Sequence, residues 1–209
     1  MSPLGRGAVE RSFLAEARAG IAYVFAQRWL ATLFALDAIL ALVVAGPLTV
    51  ALPLLAQEEM AVGPIGYSWL VAGLGGGGIV GLLLAGSILS VPKRVGGYYL
   101  LALVQAPLIA SLAGLPIAFA VFALVLVGAL NGLGEVAYLG LIQGRVSAEM
   151  LGRVMGVGLL ASFGLQPISQ IITGTLLAWI GAGTLLIAAG ILVAVTSVAG
   201  LAATRSPAD

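Results

Sequence analysis

The chain has 209 residues, 61% hydrophobic and 8% charged, with nine Lys and Arg against eight Asp and Glu for a net charge of +1. Charged residues make up roughly 25% of ordinary soluble domains, so this composition excludes a soluble globular protein, and the near-neutral balance excludes the basic face of a nucleic-acid partner site. Cysteine and histidine are both absent, which excludes disulfides, thiolate or imidazole metal sites and imidazole-dependent nucleophiles.

Residues 1–28 hold no apolar run of signal-peptide length, so no cleaved leader is expected. Within them Phe13, Ala17, Ile21 and Val24 repeat at helical spacing, with Glu10, Arg11, Glu16 and Arg18 elsewhere around the helix. This predicts a cytoplasmic amphipathic lead-in resting on the inner membrane surface, although residues 1–11 also suit a polar lead-in without fixed structure.

Beyond Arg28 the charges bound long neutral blocks, each able to supply the ~20 apolar residues that cross a bilayer. The first helix is predicted at about 29–56, closing at Glu58 and Glu59, and the second at 65–91, after the turn-like Gly63-Pro64 and before Lys93 and Arg94. The uncharged stretch from Val95 to Gly134 is too long for one span and turns at Gly114-Leu115-Pro116, giving helices at 97–113 and 116–142. The last neutral block divides at Gly181-Ala182-Gly183 into helices at 154–180 and 184–203, with 205–209 as a short tail. The fold class read from this pattern is all-α, a polytopic membrane protein of six transmembrane helices.

All nine cations fall on one side of this arrangement: four in residues 6–28, then Lys93 and Arg94, Arg145 and Arg153, and Arg205. The opposite loops hold only Glu58 and Glu59. Retention of Lys and Arg on the cytoplasmic side therefore predicts a multi-pass plasma-membrane protein with both termini cytoplasmic. Trp29, Tyr98, Tyr99 and Tyr138 are predicted near the inner boundary, and Tyr67, Trp69 and Trp179 near the outer one.

An acidic side chain near the centre of a spanning helix costs about 2.5–3.5 kcal/mol on insertion scales, so each one calls for an account. Asp37 and Glu135 lie at similar depth, roughly 12 Å in from the basic side at 1.5 Å per residue. Asn131 sits one turn before Glu135, and the two form a polar stripe that must face protein or water. These three are candidates for a proton or substrate pathway. The alternative is structural: Arg28 pairing with Asp37, and Arg145 or Arg153 pairing with Glu135. On the fifth helix Ser162, Gln166, Ser169, Gln170 and Thr173 follow one stripe, either lining a path or bonding to neighbouring helices. Gly73, Gly77 and Gly81 form a small-xxx-small ridge on the second helix, and Gly46-Pro47, Pro53 and Pro167 should bend their helices.

The run NGLGEVAYLGLIQGRVSAEMLGRVMG, residues 131–156, resembles the inner loop between the fourth and fifth helices in the second half of major facilitator superfamily permeases. Gln143, Ser147 to Glu149 and Gly152 to Met155 bring it nearest the drug-exporter branch with macrolide and siderophore exporters. AEARAGIAYVFAQRWL (residues 15–30) resembles the approach to that family's seventh helix, and GLQPISQIITGTL (164–176) its eleventh. The segment SILSVPKR departs from the family pattern, keeping Lys93 and Arg94 but lacking the acid of that inner loop.

The resemblance implies the carboxy-terminal six-helix half of a twelve-helix carrier. The function it implies is proton-coupled efflux of small hydrophobic compounds, with Asp37, Asn131 and Glu135 beside the substrate path and Lys93, Arg94, Gln143, Arg145 and Arg153 in inner loops. Its partners would be the lipid bilayer, a small hydrophobic substrate and a second six-helix half, either another copy or a separately encoded chain; no cofactor or metal is implied. The alternatives are a non-transporting six-helix subunit docking on a separate partner and a non-functional permease fragment. An enzyme is not expected, because the single Lys93 lies in a loop away from any candidate serine.

Overall fold

Backbone amides in hydrocarbon have no water to bond to, so a long apolar stretch satisfies itself by closing a helix. The computed structural model of the protein describes residues 16–87 and 94–204, all helix and short connections with no strand among them. A short helix α1 (16–26) leads into α2 (Arg28–Glu59). The helices α3 (Gly63–Ser87), α4 (Val95–Ser111), α5 (Ile117–Arg145), α6 (Ala148–Leu177) and α7 (Ala182–Thr204) follow. Helices α2 to α7 are six spans, each long and apolar enough to cross a membrane. The surface agrees with that environment, since Ile79, Leu100, Phe122, Leu160, Ile171 and Val195 point outward where water would penalise them. The protein is an all-α, six-helix, multi-pass membrane protein.

Several helix ends differ from those read off the charges. Gly63-Pro64 opens α3 rather than preceding it, because proline at a first helical turn gives up no hydrogen bond. The largest difference is between α5 and α6, where the connection shrinks to Val146 and Ser147. Gln143 and Arg145 therefore lie on the end of α5, and Arg153 on the second turn of α6, rather than in a loop. Charged residues mark where a helix leaves hydrocarbon, and nothing in their backbone stops it there. Lys93 and Arg205 lie outside the described residues.

Helix α2 is irregular beyond Gly46, with wider π-type turns at Pro47–Ala51 and Leu55–Glu59. The Ser169 hydroxyl of α6 sits on the rung just before this change, accepting from Gly46 N–H at 2.7 Å and donating to the Leu42 carbonyl. A side chain inserted into the i to i−4 ladder is a recognised origin of such irregularity. A Cβ at Gly46 would overlap Thr173 Oγ1 and the Ser169 carbonyl, so glycine allows the approach that makes this rung possible.

The spans pair in a pattern with its own symmetry. α3 runs along α5, α2 along α6 and α4 along α7, with lesser contacts between α4 and α5 and between α2 and α7. Exchanging the first three spans for the last three leaves this list unchanged. Because α2 and α5 cross in opposite directions, the pairing is that of an inverted repeat. The α3–α5 seam is the tightest. Side chains at Gly77 and Gly81 would overlap the carbonyls of Val125 and Ala129, and side chains at Gly128 and Gly132 would overlap those of Leu74 and Gly78.

Two apolar cores fill the bundle, and the larger runs from Leu40 through Leu55, Leu70, Ile109 and Leu124 to Leu186. The smaller, built on Leu30, Leu33, Phe34, Tyr99, Tyr138 and Ile142, closes the end that carries the arginines. There α1 packs Gly20 against the Arg153 backbone and buries Val24, while Ile21 and Phe25 stay exposed. Of the residues at helical spacing, Ala17 is half-buried, Ile21 exposed and Val24 buried, and Phe13 lies outside the described residues. At the opposite end Glu59 accepts from the Gly183 N–H at 2.9 Å, capping the amino end of α7 with a carboxylate.

Candidate functional site

Asp37 is half-buried on α2, nine residues beyond Arg28, or ~14 Å at the helical rise. Among the described residues, neither Arg28 nor any other cation holds it. Oδ1 accepts from the Tyr98 hydroxyl at 2.5 Å and Oδ2 from the Ser162 hydroxyl at 2.7 Å, so one carboxylate joins α2 to α4 and α6. Hydroxyl partners have a chemical consequence that a guanidinium lacks. A hydroxyl can donate to an ionised carboxylate and turn to accept from a protonated one, so Asp37 can change its proton without losing both partners.

Tyr98 belongs to an aromatic cluster on the arginine side of this carboxylate. Its ring meets Tyr99 edge-on at 5.3 Å and Tyr138 at 5.8 Å, and Tyr138 stacks on Phe34 at 6.0 Å. Tyr99 is fully buried, its hydroxyl facing the carbonyls of Thr32 and Leu33 at 3.4 and 3.5 Å. These three tyrosines, expected near the inner boundary, turn their side chains into the bundle. Once a carboxylate and main-chain carbonyls lie within reach, an internal hydroxyl no longer needs interfacial water. Trp29 does sit at the edge, donating to Gln27 Oε1 at 2.8 Å with the Arg145 guanidinium 5.2 Å over its ring. Trp69 and Trp179 are exposed at the far end.

Asp37, Tyr98, Tyr138 and Ser162 line a cavity of about 490 Å³, a size that suits a small organic ligand. Asp37, Leu40 and Val44 of α2 face Tyr98, Leu101 and Gln105 of α4 across it. Asn131, Glu135 and Tyr138 of α5 and Ser162, Phe163 and Gln166 of α6 complete most of the wall. Asn131 and Glu135 are exposed, so the cavity opens onto the surface of the bundle.

The predicted polar residues therefore divide. Asp37, Asn131, Glu135, Ser162 and Gln166 come together in one wall. Ser169 and Thr173 are buried in the α2–α6 seam, and Gln170, set off from that stripe by the helical turn, is exposed and outside the wall. Gln143, Arg94, Arg145 and Arg153 are not in the wall either. Arg145 lies over Trp29 and Arg153 points at the Met150 sulfur at 3.5 Å, so the pairings imagined for Glu135 do not form. Glu135 makes no hydrogen bond or ion pair among the described residues.

Sequence reading missed Tyr98 and Tyr138 as wall residues, and Gln105 altogether. Gln105 carried a signal, being an amide inside an otherwise apolar span; the tyrosines carried none beyond their distance from Lys93. Among the described residues no group of three or more acidic side chains converges as a metal site would require. No family model, curated protein or solved structure matches the chain.

Proposed function

We propose that this protein is a membrane carrier of the major facilitator type, exporting small hydrophobic compounds in exchange for protons and supplying one six-helix half of the working unit. In this reading it is not an enzyme, it resides in the plasma membrane, and its arginine-bearing end faces the cytoplasm. The observation that carries the proposal is Asp37 at membrane depth, held by two hydroxyls from different spans and opening with Glu135 onto one cavity. Ionisable groups are retained at such depth where they serve ion or substrate movement.

Glu135 supports the second half. It lies ten residues from the Arg145 end of α5, ~15 Å in, and is exposed on the bundle surface. Lipid against that carboxylate would be costly, whereas a facing half, a second copy or a separately encoded partner, would enclose it with water and substrate.

The test is proton flux in inside-out vesicles containing the chain, followed with a pH-sensitive dye as hydrophobic compounds are added. A compound that is carried should collapse an imposed gradient, and Asp37→Asn and Glu135→Gln should each abolish that response while the protein still elutes as a folded species. Unchanged flux in both variants would remove the proton-relay assignment.

A further inference from the structure

Helix α1 joins the first span through Gln27, whose extended backbone turns the chain at the foot of α2. At ~16 Å long, α1 stays close to the membrane edge where Trp29 sits. At about 100° per residue, Arg18, Ile21, Ala22 and Phe25 share one arc of the helix, and all four are exposed, Phe25 by 75%. Gly20, which meets the Arg153 backbone, and the buried Val24 lie about a third of a turn away. One face of α1 is therefore committed to the bundle, and a second, apolar face is left uncovered.

Positive charge borders that second face. Arg18 stands on it, Arg28 follows the bend at Gln27, Arg145 lies over the Trp29 ring at 5.2 Å and Arg153 adjoins Gly20. All four are exposed, and among the described residues none forms an ion pair or donates to an oxygen; Arg153 reaches only the Met150 sulfur. The described residues of this end hold five arginines against two acids. A guanidinium that is stacked or unpaired keeps its N–H edge for an oxyanion. At headgroup depth the oxyanions within reach are lipid phosphates, and they carry a net negative charge only in an anionic leaflet.

We propose that α1 is a docking surface for anionic phospholipid: Ile21 and Phe25 enter the upper acyl region, while Arg18, Arg28, Arg145 and Arg153 hold the headgroups. Apolar contact alone would accept any bilayer, and the unpaired guanidiniums select a negatively charged one. None of these residues lines the cavity, so lipid docking and the carrier reading stand or fall separately.

The chain has no native cysteine, so Ala22→Cys carrying an environment-sensitive fluorophore places one reporter on this face. The labelled full chain is compared in nanodiscs of phosphatidylcholine alone and of phosphatidylcholine with a rising share of phosphatidylglycerol or of a trimethylammonium-headed lipid. Phosphatidylglycerol should shift the emission to the blue and bring the label within reach of a spin-label quencher on the acyl chain. The other two compositions should leave it water-like, and inorganic phosphate added to phosphatidylcholine discs should change nothing. Arg18→Gln with Arg28→Gln should lose most of the shift, and Arg18→Lys with Arg28→Lys should keep most of it. Phe25→Ser should lose the quenching, and raised salt should weaken the response of the parent chain.

A label equally buried in phosphatidylcholine and phosphatidylglycerol overturns the proposal, as does one that stays water-like in both. Emission that follows the number of copies per disc and ignores headgroup charge assigns the face to a second copy and overturns it as well. The headgroup series uses one labelled chain, so an arginine variant that fails to fold cannot hide the answer.

Discussion

Asp37 and Tyr138 show two opposite fates of a polar group inside the bundle. Asp37 is served on both oxygens. The Tyr138 hydroxyl is buried and has no hydrogen-bond partner among the described residues, lying where a Cβ on Gly158 would come within 3.0 Å of it. Removing a buried, unsatisfied hydroxyl relieves its desolvation without breaking a bond. Tyr138→Phe is accordingly predicted to leave stability unchanged or raise it by up to about 1 kcal/mol, whereas Tyr98→Phe should lower it by about 1 kcal/mol. Thermal unfolding in detergent of the two variants beside the parent chain separates these outcomes, and a Tyr138→Phe loss equal to that of Tyr98→Phe would refute the assignment. Asp37 was legible in the sequence because an acid inside an apolar run has few innocent explanations. Its donors were not, because Tyr98 lies 61 positions away and Ser162 lies 125. Their meeting depends on how the spans are arranged, which no local pattern encodes.

Among the elements, the α3–α5 seam shows how small residues decide which helices touch. The backbones approach so closely at Gly77 that any side chain there must push α5 away, while Gly76 on the same turn faces open space. Gly77→Val is predicted to destabilise the fold by about 1–3 kcal/mol or to prevent it from assembling, and Gly76→Val to change it by less than about 0.5 kcal/mol. Fluorescence-detected elution and unfolding of the two variants provide the comparison; equal behaviour would mean the seam is not the constraint. The ridge was visible in the sequence as Gly73, Gly77 and Gly81, and it announced a close neighbour. It did not identify that neighbour, since Gly128 and Gly132 on α5 lie far along the sequence and no local pattern pairs them with the ridge. Helix ends were legible where proline or glycine breaks the backbone, as at Gly114-Leu115-Pro116, and misread where only charge marked the boundary, as at Gln143 to Arg153.

At the scale of the whole molecule, the six spans were legible because hydrocarbon thickness and the scarcity of charge leave few other ways to divide the chain. The opening of the cavity onto the bundle surface was not, because it depends on which faces of α2, α5 and α6 remain uncovered. The two ends differ chemically: the described arginines gather at one, and Glu58 and Glu59 stand at the other. The absence of native cysteine makes this polarity measurable with a single introduced thiol. If the basic end faces the cytoplasm, Glu58→Cys should react with a membrane-impermeant maleimide on intact cells and Ser147→Cys only after permeabilisation. The reverse pattern would invert the orientation.

The carboxylate shared by α2, α4 and α6 also sets an order of events during synthesis. Asp37 enters the membrane with the first span, its Tyr98 donor arrives only with the third, and Ser162 and the Ser169 hydroxyl on the Leu42–Gly46 rung arrive only with the fifth. Until then the nascent first span carries an incompletely served acid and an unsupported stretch of helix ahead of Pro47. This span therefore waits for the fifth before its acid and its Leu42–Gly46 rung have all their partners.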